Sequence, residues 1–273
     1  MERPLSRSLP GQSMQSDGSR AVMRSLPEEV PIAIVFDGTT QAVMMATPGD
    51  IEDFALGFAL SEGIIESLDQ IEDFEAVEHG EGIEARLWLR ADRSDALKAR
   101  RRVMAGPVGC GLCGIDSLEQ AMRPLPPVAA AVPMFSQTDV ATATDALARM
   151  QPLHNQTRAT HAAGFMVPGK GVVLAREDVG RHNALDKLIG ALARAGIDPS
   201  TGAVVMTSRL SVELVQKCAL AGCPMLIAVS APTAAALRLA ETAGITLVAF
   251  ARGGGFDLYS HPTRVLTGVS HVA

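Results

Sequence analysis

Apolar residues recur along this chain with two periods, and each change of period marks an element. At 83–89, Ile83, Ala85, Leu87 and Leu89 alternate with Glu84, Arg86 and Trp88, the pattern of a half-buried strand. The β-rich runs 31–36 and 41–46 flank Asp37-Gly38-Thr39-Thr40, which is hairpin chemistry. Between these strands the period lengthens. Pro48 and Asp50 open a helix whose Ile51, Phe54, Ala55, Phe58 and Ala59 repeat at helical spacing, and Gly63 ends it. The first part of the chain therefore reads as mixed α+β.

Four prolines among alanines and valines at 124–133 predict an extended linker. Beyond it, strands at 164–167, 172–175, 203–206, 225–229 and 246–250 alternate with helices, one starting at Arg181 and others ending at 221 and 243. That alternation predicts a largely parallel or mixed sheet between helices. The expected fold class is α/β: a C-terminal α/β/α domain at 134–273, a smaller α+β domain at 27–123, and a flexible tail at 1–26 without apolar period. The run 218–237 carries no charge and imitates a membrane span, but Gly222-Cys223-Pro224 and Pro232 cut it into a helix end, a strand and a new helix start.

Composition narrows the partners. The 273 residues are 47% hydrophobic, enough for a substantial core. With 24 Lys plus Arg against 30 Asp plus Glu, the net charge of -6 argues against nucleic acid or an anionic membrane held by bulk attraction. An anionic ligand must meet a local basic patch. Four cysteines are too few for a disulfide scaffold, and no apolar leader opens the chain, so a reducing cytoplasm is expected.

Ligands of open α/β sheets bind beyond the carboxyl ends of the strands. The residues there are Arg176 to Asn183 with Arg181 and His182, then Thr207-Ser208-Arg209, Ser230 and Thr233, and Phe250-Ala251-Arg252-Gly253-Gly254-Gly255. Guanidinium forks, helix N-termini and glycines suit a phosphate-bearing ligand. Set against this, Ser208, Ser211 and Thr233 are ordinary helix caps, Arg252 an ordinary surface charge, and the glycines an ordinary turn. His182 fits both a ligand donor and a solvated helix start. His161 reads as a hydrogen-bonded structural histidine.

Cys110 and Cys113 stand in Gly109-Cys110-Gly111-Leu112-Cys113-Gly114. Two thiols at this spacing among glycines are seldom chosen for packing. A redox pair, half of a zinc site and a persulfide carrier all remain open. For zinc, Cys218 and Cys223 are poorly placed, one in a helical run and one before Pro224, so they are expected to pack as small hydrophobes and no metal site is expected. Lys98, Arg100, Arg101 and Arg102 either lower a thiol pKa or form a solvated helix face. The glycine flanks favour a loop that reaches different partners.

The cysteine run, Thr160-His161-Ala162-Ala163, Glu177-Asp178-Val179-Gly180-Arg181-His182-Asn183-Ala184-Leu185-Asp186-Lys187 and Phe250-Ala251-Arg252-Gly253 occur in this order. Together, over about 30–261, they resemble the formate dehydrogenase accessory sulfurtransferase family, FdhD. The resemblance implies that a cysteine desulfurase loads a persulfide on Cys110, beside Cys113. The sulfur then passes to the bis-molybdopterin guanine dinucleotide cofactor of formate dehydrogenase. It also implies that 250–255 binds the guanine-nucleotide part of that cofactor, that the C-terminal domain has the cytidine deaminase fold without zinc, and that the protein is a homodimer. Two positions depart from the family, Arg158 and Ser208, both usually Gly. A cofactor chaperone that carries no sulfur and a thiol-disulfide oxidoreductase are the alternatives.

Overall fold

The computed structural model describes residues 3–94, 97, 125–128 and 133–266; Cys110 and Cys113 lie outside the described residues, as do the basic residues just before them. Strands β3 (Val30–Phe36), β4 (Thr39–Ala46), β5 (Ile71–His79) and β6 (Gly82–Leu89) form a sheet in the order β4-β3-β6-β5. Its inner face, with Ile32, Ile34, Ala85 and Leu87, packs on Phe54 and Phe58 of α1 (Ile51–Ser61). The alternation in 83–89 is the register of β6 against this core.

The second sheet has six strands: β8 (His161–Val167), β9 (Gly171–Asp178), β10 (Ala203–Met206), β11 (Met225–Ala228), β12 (Thr246–Arg252) and β13 (Gly255–Leu258). Their order is β13-β12-β11-β10-β8-β9. Only β10, β11 and β12 run parallel, so the mixed sheet expected from the alternation is what forms. Consecutive apolar residues serve opposite faces. Val204, Leu226 and Leu247 meet α4 (Arg181–Arg194), α5 (Val212–Leu220) and α6 (Ala234–Ala243). Val205, Ile227 and Val248 meet Val140 and Leu147 of α2 (Gln137–Ala148). These are three layers. A short helix α3 (Pro152–Thr157) follows α2, and β7 (Phe135–Ser136) pairs with β14 (Val265–Leu266).

The stretch expected to be a tail is instead a hairpin. Strands β1 (Ser6–Gln15) and β2 (Gly18–Pro27) pair antiparallel through their whole length. The missed signal is Asp17-Gly18, a turn dipeptide, with Gly18 at φ 135°. Both faces of the hairpin are largely exposed, which removes the apolar period that would have announced it. Helix α2 was also unforeseen, although Ser136 caps it by accepting from the Asp139 N–H. Of the linker, Val128 is buried in the second core and its N–H donates to Ala243 O at 3.0 Å. The uncharged run 218–237 divides as expected into the end of α5, β11 and the start of α6. Among the described residues, no helix is long and apolar enough to cross a membrane.

The two sheets are joined where α1 crosses α4. A Cβ on Gly57 would lie 1.7 Å from Asp186 O, and one on Gly190 would lie 2.0 Å from Asp53 O, so the helices touch backbone to backbone. Only glycine permits that approach. Buried charges flank the crossing. The Asp178 carboxylate accepts from the N–H groups of Thr47 and Gly180, from Asn183 Nδ2 at 3.0 Å and from Lys187 Nζ at 2.7 Å. Lys187 also donates to Thr47 O, and both members of the pair are fully buried. Lys217 meets Asp186, Glu62 and Ser61, while Arg176 and Arg194 converge on Asp53.

Candidate functional site

The register of the second sheet brings the expected residues to one edge. Phe250 N–H donates to Ser230 O, Val229 N–H to Met206 O and Thr207 N–H to Ala162 O, while His161 pairs with Asp178. Thus the ends of β12, β11 and β10, the start of β8, and the turn from β9 into α4 lie side by side. Leu210 N–H donates to Ala231 O and Thr233 N–H to Leu210 O, knitting the next loops together.

On this edge Arg209 and Arg252 are exposed, and Arg181, His182 and Ser230 are half-buried. Arg252 pairs with Gly255 across a turn in which Gly253 and Gly254 have φ 60° and 78°. Two successive positive φ values require glycine here, and they make the 250–255 stretch the tip of the β12–β13 hairpin. The turn reading of these glycines is therefore what forms. Phe250 sits in the left-handed region at φ 52°, beside a register shift between Ala249 and Arg252, with its ring partly exposed. Ala251 is buried, and its carbonyl accepts from Thr144 Oγ1 of α2 at 2.6 Å. A bulky residue with positive φ is strained, and such strain clusters at ligand sites.

Helices α4 and α5 both start at the edge, and neither has a side-chain cap at its N-cap, Gly180 or Ser211. Ser211 turns its hydroxyl to Glu213 Oε2 at 2.6 Å, and both approach His182 Nε2 at 3.4 Å. Burial, then the neighbouring Arg181, push His182 down to about 4 despite Glu213, so the ring is neutral near pH 7. Burial alone would raise Glu213, but the Ser211 hydroxyl and His182 bring it below the ordinary carboxylate value. Ser211 was read only as a cap, and Glu213 had no sequence signal beyond its place in a first helical turn. Thr233, by contrast, is the cap expected, accepting from Ala236 N–H.

The 177–187 string divides between structure and edge. Glu177 accepts from the N–H groups of Leu153 and His154 at the start of α3. Asp178, Asn183, Asp186 and Lys187 belong to the seam. Asp186 is buried against Ser61 and Lys217. Burial works against the Lys217 charge, yet Asp186 and Glu62 hold it above the ordinary lysine value. Arg181 and His182 are left at the edge. His161 is half-buried, with its pKa lowered by burial and by Arg181.

The departures from the resembling family also find places. Arg158 ends α3 in the left-handed region, φ 59° and ψ 21°, where glycine costs less. Ser208 is buried and donates to Arg209 O. Cys218 and Cys223 pack as small hydrophobes in the second core, where burial raises both thiols, Cys223 to about 11. Apart from the edge, a cleft of about 290 Å³ lies among Leu5, Thr47, Asp50, Leu153, Arg176 and Glu177.

A family model described as FdhD/NarQ matches residues 27–266. The sulfur carrier protein FdhD of Agrobacterium fabrum is 52% identical over 243 residues, spanning 89% of this chain and 90% of that one. That of Brucella abortus is 51% identical over 249 residues, spanning 91% and 93%. Among solved structures, a putative formate dehydrogenase accessory protein from Desulfotalea psychrophila superposes with a TM-score of 0.76 at 24% identity, over 96% of this chain and all of that one. That likeness speaks for the fold.

Proposed function

The chain belongs to the FdhD/NarQ family, and on that premise we propose that Cys110 carries persulfide sulfur to a molybdenum cofactor held at the sheet edge. The relatives are sulfur carriers, and this chain is one, serving formate dehydrogenase. The chemistry is that of a cytoplasmic sulfurtransferase. The Cys110 thiolate attacks the terminal sulfur of a cysteine desulfurase persulfide; the new S–S bond forms as the old one breaks, and the desulfurase thiolate leaves. Attack of Cys113 on Cys110 then closes a disulfide and releases hydrogen sulfide, and a cellular dithiol restores the pair.

The acceptor is the bis-molybdopterin guanine dinucleotide cofactor. One observation supports this reading: the segments carrying Arg181, Arg209 and Arg252, a neutral His182 and two helix starts without side-chain caps lie along one edge. Phosphates suit Arg181, Arg209, Arg252 and the N–H groups of 253–255, and Ser230 and His182 add hydrogen bonds. Phe250 offers a ring face to guanine, with Ala251 fixing the backbone beneath it. The working form is a homodimer that meets the desulfurase and formate dehydrogenase in turn.

Mass spectrometry after incubation with a cysteine desulfurase and cysteine tests this. One added sulfur atom is expected on the Cys110 peptide of the wild type and none in Cys110→Ala. An unmodified wild-type peptide would overturn the carrier and leave the cofactor chaperone and the thiol-disulfide oxidoreductase, which guanine-nucleotide binding that weakens in Arg252→Ala would separate in favour of the chaperone. Loss of sulfuration of formate dehydrogenase in cells carrying Cys113→Ala is expected as well, and full sulfuration would remove the disulfide step.

A further inference from the structure

Among the described residues, strands β1 and β2 pair in a sheet only with each other, and a two-stranded ribbon by itself is at best marginally stable in water. This one nevertheless displays large apolar side chains. Met14 and Met23 are 73% and 63% exposed, and Leu9 and Leu26 nearly half. The register places Arg7, Leu9, Arg20, Val22, Arg24 and Leu26 on one face, a mixture of aliphatic and guanidinium groups. Arg7, Arg20 and Arg24 against Asp17 give the span 6–27 a charge of +2. Among the described residues, β2 packs against α3.

A second surface of matching character lies on the sheet of β3 to β6. Its inner face is filled by α1. On the outer face, Ala33 pairs with Val43 and Pro31 with Met45, and Val43 and Met45 are each about half exposed. Next to this apolar strip stand Glu84, Arg86 and Trp88 on β6, opposite Asp73 and Glu75 on β5. On this face Asp73, Glu75 and Glu84 stand against Arg86, which pairs with both glutamates, so the face keeps an excess of acid. Edge strand β4 itself carries no charge to discourage a partner.

We propose that the β1–β2 arm of one copy lies across the outer face of this sheet in a second copy. Running across the strands, the arm lays Leu9 and Leu26 over Val43 and Met45 and carries Arg24 and Arg20 beyond them, toward Asp73 and Glu75 on the far strand. The two surfaces belong to the same chain, so a two-fold exchange satisfies both twice and closes as a dimer. This deepens the homodimer of the proposed function and rests on it. Trp88, the single tryptophan of the chain, lies on the covered face and reports its burial.

Light-scattering mass and Trp88 emission across a dilution series test the arm. The wild type is expected at twice the chain mass, with emission shifting to the red on dilution. Leu9→Asp/Leu26→Asp and Arg20→Glu/Arg24→Glu should each weaken association by about tenfold or more and expose Trp88 at concentrations where the wild type is dimeric. Circular dichroism should show both variants folded, since all four side chains are exposed or lie on the exposed arm. Adding Asp73→Lys/Glu75→Lys to the arginine variant should restore the dimer. A monomeric wild type would overturn the homodimer and the arm together. Dimers persisting in both arm variants would overturn the arm alone, and failure of the charge exchange to restore them would overturn the assigned face.

Discussion

The seam between α1 and α4 and the edge at the ends of β8 to β12 are built from the same kinds of charged residue, used in opposite ways. At the seam every charge is answered from within. Asp178 has four donors, and Lys187 is neutralised by Asp178 and Thr47 O and lies 5.9 Å from the Phe54 ring. At the edge, Arg209 and Arg252 reach solvent, and two helix starts lack side-chain caps. Replacing a whole buried ion pair with apolar residues is often no loss, whereas removing one partner leaves the other charge buried and uncompensated. An exposed cation beside helix N-termini adds little to folding but suits an anion. The two regions share one helix: α4 carries Lys187 and Asp186 into the seam and Arg181 and His182 to the edge. Seam substitutions should therefore cost stability, and edge substitutions binding.

The largest effect is expected from Lys187→Met, which leaves Asp178 buried without its cation. Urea unfolding should show a loss of about 3–5 kcal/mol, partly recovered in Asp178→Asn/Lys187→Met. A loss under about 1 kcal/mol would remove the distinction between seam and edge. Next come Arg252→Ala and Arg209→Ala. Each should weaken guanosine diphosphate binding about tenfold in calorimetry while unfolding stays within about 0.5 kcal/mol of wild type. If either variant unfolded early instead, its arginine would belong with the seam.

His182 sharpens the comparison through pH. Burial and Arg181 hold it at about 4, whereas an unfolded histidine titrates near ~6.5. The unfolded chain therefore takes up the proton first. The stability His182 contributes is fully present above about pH 6.5 and is lost as pH falls toward 4. Because the side chain is 34% exposed, solvent screening reduces the loss to about 1–2 kcal/mol. His182→Gln should flatten the stability curve across that window, and an unchanged acid limb would remove His182 as its source. The smallest effect is Arg158→Gly, which relieves the left-handed backbone at the end of α3. A gain of about 0.5–1 kcal/mol is expected in thermal unfolding, and a loss would mean that the Arg158 side chain holds contacts of its own.

Sequence pattern revealed what depends on local periodicity. The alternation at 83–89 and the apolar runs at 203–206 and 225–229 mark strands because each faces a core, or two. The edge was legible for a related reason: strand order in a mixed sheet aligns the residues that follow each strand. The seam was not legible. Asp186 and Lys187 look like the polar side of an amphipathic helix, and their burial depends on Thr47 and Ser61, 140 and 125 residues away. The β1–β2 hairpin escaped because a ribbon exposed on both faces has no period to show. Glu213 escaped because only the fold brings it to His182.

The edge is most directly tested by amide hydrogen exchange with and without guanosine diphosphate. New protection is expected in three separated segments, 179–183, 207–211 and 250–255, with the seam already protected in both states. Protection appearing instead around Leu5, Thr47 and Leu153, at the cleft beside α3, would contradict the account.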